Sequence, residues 1–165
     1  MGDAMSIDRR LAELGLILPP AFKFPSQNRT GCVQSGNVLY MSGHGNGLPD
    51  WPGVAHRGKV GLDVSPEQAY TTARVVALSM LSTIAEKYGT LDRVKRVIRI
   101  FGMVNSAPGM QRQTHIIDGA SDLFYELWGP ENGQHARTAV GVAELPFGLA
   151  VEINGEFELH DAPRP

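Results

Sequence analysis

The stretch HARTAVGVAELPFGLAVEIN, residues 135–154, decides the fold because it holds two apolar runs on either side of Leu145-Pro146. Alternation and small or β-branched residues predict a strand in each run. Arg137 lies in the first run and Glu152 in the second. A charge inside a strand is costly unless it is paired or binds a ligand. Two hypotheses remain open for Arg137. In the first, it forms a structural ion pair with Glu152 or Glu144. In the second, its guanidinium holds a ligand carboxylate through two parallel hydrogen bonds.

The chain before this stretch is predicted to begin with a short helix and a hairpin. Apolar residues recur at helical spacing over residues 6–18, and Pro19-Pro20 stops that helix. Residues 31–43 contain two strand-like runs around a turn at 35–37, which is typical of a hairpin. Residues 44–62 are rich in glycine, proline and histidine, so they predict a loop.

Two longer helices and another strand complete the predicted elements. Ser65 is an N-cap with Gln68 closing a capping box, and Gly89 ends the helix that they begin. A strand is predicted over residues 94–104 and a second long helix over residues 119–128. The order β-β-α-β-α-β-β indicates the α+β class, with helices on one face of the sheet. The other sheet face is then expected to be apolar and to need a cover.

Bulk properties limit the classes of protein. A chain of 165 residues is one domain with room for a real core. Its net charge of −2 gives no electrostatic footprint for nucleic acid. No apolar run reaches the roughly 18 residues that cross a bilayer. Cys32 is the single cysteine, so an internal disulfide is excluded, which fits a reducing, cytoplasmic location.

Several short motifs, in this order and spacing, resemble the RidA family, also called the YjgF family. The match covers about residues 30–158 and rests on Ser42-Gly43, Gly61, Arg137-Thr138-Ala139-Val140, Leu145-Pro146 and Val151-Glu152-Ile153. Other short motifs resemble those of a longer, less characterised branch of that family: Gly36-Asn37, Gly58-Lys59-Val60-Gly61, residues 118–122 and His135-Ala136-Arg137.

The resemblance implies a chorismate-mutase-like fold, in which a mixed sheet carries two helices on one face. Members of the family are trimers whose sheets join around a central barrel, with ligand sites in the clefts between subunits. We therefore expect a homotrimer. The chain is expected to contain one RidA-like domain at residues 29–159, preceded by an extension at 1–28 with a short helix and followed by a polar tail at 160–165.

The resemblance also implies a reaction, the hydrolytic deamination of reactive enamines or imines to 2-oxo acids and ammonia, with no cofactor. Arg137 would anchor the substrate carboxylate, and Glu152 would position the attacking water. A second hypothesis is a non-enzymatic trimeric binder or sensor of small carboxylates or carbonyl compounds, for which Glu152 would be dispensable. The endoribonuclease activity attached to some members is disfavoured, because the chain is slightly acidic and shows no basic patch with interleaved aromatics.

Other residues of the expected cleft are candidates for substrate binding. Ser42 and Gly43 would line its floor, offering a hydroxyl and a backbone N–H to a carboxylate or a carbonyl oxygen. His44 and His135 are predicted at its edge. These assignments compete with ordinary turn chemistry and with solvated surface positions.

Three positions depart from the family pattern. Arg29 stands where active members carry an early tyrosine, Ala139 where a cysteine is common, and Asn154 where a second glutamate is common. Arg29 could add a second contact to an anion, or it could be a solvated loop charge. We therefore expect the substrate to differ more than the site.

No metal site is predicted from the sequence. The candidate ligands His44, His56, His115 and His135 show no pair with the tight spacing of a helical metal motif, and Cys32 is alone. Gly45-Asn46-Gly47 follows a strand but lacks the third glycine and the helix start of a dinucleotide fingerprint.

Overall fold

A five-stranded mixed sheet forms the centre of the structure, a computed structural model that describes residues 6–161. The outer ends of the predicted extension and tail, residues 1–5 and 162–165, lie outside the described residues. In chain order the elements are α1 (Ile7–Glu13), β1 (Cys32–Ser35), β2 (Val38–His44), α2 (Pro66–Tyr88), β3 (Val94–Asn105), α3 (Gln113–Asn132), β4 (Ala136–Val142), a 3₁₀ turn (Pro146–Gly148) and β5 (Val151–Leu159).

The sheet has the strand order β1-β2-β5-β3-β4. Strand β3 is antiparallel to β5 and parallel to the edge strand β4, and the hairpin β1–β2 joins the sheet through β5. Helices α2 and α3 cover one face, and their buried side chains form one core with those of the strands. The predicted element order and the α+β class are confirmed. The trimeric barrel stays a prediction.

The long helix α2 begins and ends as the sequence predicts. The Ser65 side chain accepts the backbone N–H of Gln68, and the Gln68 side chain accepts that of Ser65, so both bonds of the capping box are present. Gly89 ends the helix with φ = 77°, a left-handed conformation that glycine adopts without steric cost. No helix among residues 6–161 is long and apolar enough to cross a membrane.

Two predicted helix boundaries are wrong. Helix α1 ends at Glu13, because Gly15 turns the chain with φ = 65° well before Pro19-Pro20. Helix α3 begins at Gln113 rather than Gly119. Gly119 lies inside the helix, where a Cβ would overlap the backbone carbonyl of Tyr70 on α2, so this glycine allows close helix packing and does not mark a helix start.

The uncovered face of the sheet is mixed, and the expectation of an apolar face is wrong. Along β5 the residues Val151 to Leu159 alternate between buried and half-buried, so Glu152, Asn154, Glu156 and Glu158 point away from the helices. Glu156 accepts two hydrogen bonds from the guanidinium of Arg99, at 2.9 and 3.0 Å.

We expect Ser65→Ala to destabilise the protein by about 1 kcal/mol, because it leaves an N-terminal amide of α2 without its cap. Chemical denaturation followed by circular dichroism measures the change. Gln68→Ala is the matched control, since it removes only the returning bond of the capping box and should cost less. Equal stability of Ser65→Ala and the parent would contradict this account of the helix start.

Candidate functional site

The Glu152 cavity is a pocket of about 230 Å³ on the uncovered side of the sheet. Glu152 on β5 and Gly43 on β2 belong to its lining, together with Arg29 and the aromatic side chains Phe22, Phe24 and Phe147. Most of the lining is therefore apolar, and its polar side chains are the carboxylate of Glu152, the guanidinium of Arg29 and the carboxamide of Asn46.

Glu152 is half-buried in this cavity. Within residues 6–161 its carboxylate has neither a hydrogen-bond donor nor a cation within ion-pair distance. Burial raises the pKa of Glu152 above its ordinary value of 4.5. A carboxylate with free lone pairs and a raised pKa is suited to accept a proton from water.

Gly43 gives the Glu152 side chain its space. A Cβ at Gly43 would overlap the carboxylate of Glu152. The pairing of β2 with β5 shifts register between Met41 and His44, so Gly43 lies in an irregular part of the strand. Within this segment Ser42 donates its hydroxyl to the carbonyl of Thr30 at 2.5 Å, and it does not line the cavity.

Arg29 lines the same cavity as Glu152, as the hypothesis of a second anion contact requires. Its guanidinium makes one weak hydrogen bond, to the amide oxygen of Asn28 at 3.4 Å. Among residues 6–161 no carboxylate lies within ion-pair distance of it. Arg29 therefore remains available to an anionic ligand.

Arg137 forms an ion pair, but with neither predicted partner. Its Nη1 donates to Oδ1 of Asp118 at 2.6 Å and to Oγ of Ser121 at 3.1 Å, both on α3. Glu144 instead pairs with Lys59 at 3.3 Å. The prediction of Glu152 or Glu144 as the partner is wrong, because Arg137 points toward the helices.

His135 extends this network beside a second cavity of about 250 Å³. Its Nδ1 lies 2.6 Å from the carbonyl of Gly133, which fixes the proton there, so Nε2 accepts from the Ser121 hydroxyl at 3.0 Å. Burial, together with the nearby Arg137, lowers the pKa of His135 and favours this neutral ring. Ala139, two residues beyond Arg137 on the same face of β4, packs half-buried against the core.

Arg137 and Glu152 point to opposite faces of one sheet. In the strand register, Arg137 of β4 lies beside Ile100 of β3, and Glu152 of β5 lies beside Met103 of β3. The register of β3 is regular between these two positions, and three residues along a strand reverse the direction of the side chain. One chain therefore cannot bring both side chains to the same ligand.

His44 lies in the core, so its predicted place at the edge of the cleft is wrong. It is 2% exposed, and its ring nitrogens lie 2.7 Å from the carbonyl of Ser42 and 2.8 Å from the hydroxyl of Thr83 on α2. Burial lowers the pKa of His44. Among residues 6–161 no group of three or more His, Cys, Asp or Glu side chains converges as metal ligands would.

Comparison with known proteins assigns the chain to a family. Residues 10–151 match the family described as "YjgF/chorismate mutase-like, putative endoribonuclease". The chain belongs to this YjgF/RidA family. It is similar to protein TCP17 of Trypanosoma cruzi, with 41% identity over 152 residues and 92% of each chain covered.

Two solved structures share both sequence and fold with the chain. Protein Atu1372 of Agrobacterium tumefaciens, described as of unknown function, is 39% identical, with a TM-score of 0.79 and 94% of each chain covered. A Shewanella oneidensis protein described as a putative endoribonuclease is 26% identical, with a TM-score of 0.83 over 94% of this chain and 100% of the other. The predicted family and fold are thus confirmed, and the role of each site residue stays a prediction.

Sequence reasoning missed several residues of the two cavities in this YjgF/RidA chain. Phe22 and Phe24 lie in the predicted extension, between Pro19-Pro20 and the hairpin, where no motif signals a pocket. Asp118 lies in residues 118–122, one of the motifs that resemble the longer branch of the family. It precedes the predicted start of the second long helix, so it was not expected to face β4. The signal that could have prompted a search for Asp118 was Arg137 itself, since an arginine inside an apolar strand needs a partner and the predicted helix beside the strand could supply one.

We expect Gly43→Ala to keep the fold but displace the Glu152 carboxylate, because the clash is with the end of a flexible side chain. The pKa of Glu152, measured by NMR titration, should move back toward its ordinary value as the carboxylate enters solvent. Gly155→Ala is the control, since its Cβ would meet the backbone oxygen of Arg99 at 2.5 Å and should destabilise the sheet. Equal destabilisation by both substitutions would contradict this expectation.

Proposed function

We propose that the protein is a hydrolytic deaminase of enamines and imines that carry a carboxylate, and that the reaction takes place at Glu152. The observation that carries the proposal is the environment of Glu152. It is a half-buried carboxylate with a raised pKa and without a partner among residues 6–161, and it faces a cavity that also contains Arg29. Perturbed carboxylates in clefts are candidates for general acid–base catalysis.

The reaction follows from these groups. An enamine first tautomerises to the imine. Glu152 takes a proton from water while the water oxygen bonds to the C=N carbon, and the C=N electron pair moves to nitrogen. Glu152 returns its proton to that nitrogen, which gives a carbinolamine. The hydroxyl proton of the carbinolamine then passes to the amine through Glu152 as the C–N bond breaks, so ammonia leaves with both water protons and the oxygen becomes the carbonyl of a 2-oxo acid. The cavity contributes proximity and a positioned base.

The cavity offers the substrate a cation as well as a base. Arg29 and Glu152 both line it, and they form no ion pair with each other in the described part of the chain. Burial is the cause of the raised pKa of Glu152. The substrate carboxylate would contact Arg29, and the C=N carbon would lie near Glu152.

Arg137 has a place in the proposal only through a second copy of the chain. Because it points to the opposite sheet face from Glu152, it reaches a Glu152 cavity when the edge strand β4 of a neighbouring subunit lies against that cavity. The proposed homotrimer has such clefts between subunits. A carboxylate held by two guanidinium groups would compete with Asp118 for Arg137.

Glu152→Gln should keep ligand affinity but lower the turnover of an imine by roughly 10²–10⁴-fold, because it removes the base and keeps size and hydrogen bonding. Ammonia release is measured on imines generated in situ by an amino-acid oxidase, above a control without protein. In the parent, kcat/KM should fall with decreasing pH as Glu152 is protonated, at a pKa above 4.5. Equal rates for parent, variant and control, with ligand still bound, would establish a binder.

Mixing variants tests whether Arg137 acts across subunits. Arg137→Ala and Arg29→Ala should each raise KM by roughly 10–10²-fold, the loss of a charge-assisted contact. Refolding Glu152→Gln with Arg137→Ala in equal amounts should restore about a quarter of parental activity, since half the glutamates and half the arginines at each interface are intact.

The matched control mixes Glu152→Gln with Arg29→Ala. These residues share a cavity within one chain, so no mixed trimer contains an intact pair and activity should stay low. Recovery in this control, or its absence in the Arg137 mixture, would contradict the arrangement. Circular dichroism of Arg137→Ala tests whether its bond to Asp118 is needed for folding.

A further inference from the structure

Part of the lining of the Glu152 cavity is aromatic and comes from outside the predicted RidA-like domain. Phe22 and Phe24 pack edge to face with their centroids 5.1 Å apart, and Phe24 packs in the same way on buried His44 at 5.7 Å. The segment that carries them is held on α2, where the Ser82 hydroxyl donates to the carbonyl of Pro19 at 2.6 Å. The aromatic lining is therefore part of the folded body.

A third aromatic side chain, Phe147, stands at the cavity in a costly conformation. Its φ is 57°, the one positive value outside glycine among residues 6–161, and its side chain is 70% exposed. Gly148 follows with φ = 69°, and its carbonyl accepts the backbone N–H of Gly58 at 2.9 Å, which fixes the turn. A bulky residue with strained backbone and an exposed ring gains little for folding, and such residues concentrate at ligand sites.

The size of the cavity limits the ligand. Its volume of about 230 Å³ is below the range of roughly 300–1,000 Å³ for sites of drug-sized ligands. It suits a single molecule of amino-acid size. With the carboxylate near Arg29 and the C=N carbon near Glu152, the remaining part of a 2-imino acid lies among Phe22, Phe24 and Phe147.

Resting on the proposed function, we infer that the Glu152 cavity selects 2-imino acids with large apolar side chains, such as those derived from leucine, methionine or phenylalanine. An apolar side chain gains free energy by leaving water for the three aromatic rings. A carboxamide or a carboxylate among the three rings would lose its hydration without a hydrogen-bond partner on them. The carboxamide of Asn46, which also lines the cavity, already accepts the backbone N–H of Gly47 at 3.0 Å through its Oδ1. A methyl side chain, as in the alanine-derived imine, would cover little of the three aromatic rings.

The test compares imines made in situ by amino-acid oxidases from leucine, phenylalanine, alanine and glutamine. We expect kcat/KM for the leucine- and phenylalanine-derived imines to exceed that for the alanine-derived imine roughly tenfold or more, within the range that apolar pockets achieve. The glutamine-derived imine should be slower than the leucine-derived one. Equal values across the panel would overturn the inference and leave the deaminase activity standing.

Phe147→Asn is the informative variant. Asparagine tolerates the left-handed backbone, so the turn is preserved while the apolar ring is lost. The ratio of kcat/KM for the leucine-derived over the alanine-derived imine should fall several-fold. Leu62→Asn is the matched control, because Leu62 is 75% exposed and lies outside both cavities, and it should leave the ratio unchanged. An unchanged ratio in Phe147→Asn would exclude Phe147 from selection.

A binding measurement separates failure of this inference from failure of the proposed function. Calorimetry with the stable 2-oxo acids should show 4-methyl-2-oxopentanoate binding roughly tenfold tighter than pyruvate to the parent, and a smaller difference for Phe147→Asn. If no imine is hydrolysed above background but this preference is found, the deaminase proposal fails and the selectivity stands. If pyruvate binds as tightly, the selectivity is wrong whatever the turnover.

Discussion

Strand β3 imposes the constraint on which the functional interpretation depends. It pairs with β4 on one side and β5 on the other, and the alternation of side chains along it sends Arg137 to the helix face and Glu152 to the uncovered face. No rotamer change reverses this, because it is set by backbone register. A single chain thus has two separate clusters. In one, the guanidinium of Arg137 has a carboxylate partner, and in the other, the carboxylate of Glu152 has no cation within ion-pair distance among residues 6–161.

The burial of Glu152 costs stability at the pH where it would act. A carboxyl whose folded pKa is raised above its unfolded value stabilises the fold below the unfolded pKa, and that contribution is lost as pH rises through the folded pKa. Above the folded pKa the ionised side chain makes the fold less stable than a fully solvated carboxylate would. Gly43 gives this buried carboxylate its space, because the Cβ of an alanine would overlap it.

Local signals in the sequence predicted the elements, and long-range packing decided the site. The capping box at Ser65 and the turn at Gly36 depend on neighbouring residues, so they could be predicted. The partner of Arg137 could not, because Asp118 is 19 residues away and faces β4 only once α3 is extended back to Gln113. His44 was misplaced for a similar reason, since its burial depends on the hydroxyl of Thr83 on another element.

Arg29, which stands where active members of the family carry a tyrosine, lies at the same cavity as Glu152. An anchoring cation that sat beside the base would lower its pKa and weaken it as a proton acceptor. Arg29 lines the cavity of Glu152 without forming an ion pair with it in the described part of the chain, and the pKa of Glu152 stays raised. Arg137 is held by Asp118 on the far face of the sheet and so leaves the base equally unperturbed. In the proposed reaction, the lack of an ion pair between Glu152 and either guanidinium group would keep the carboxylate basic while a substrate anion binds.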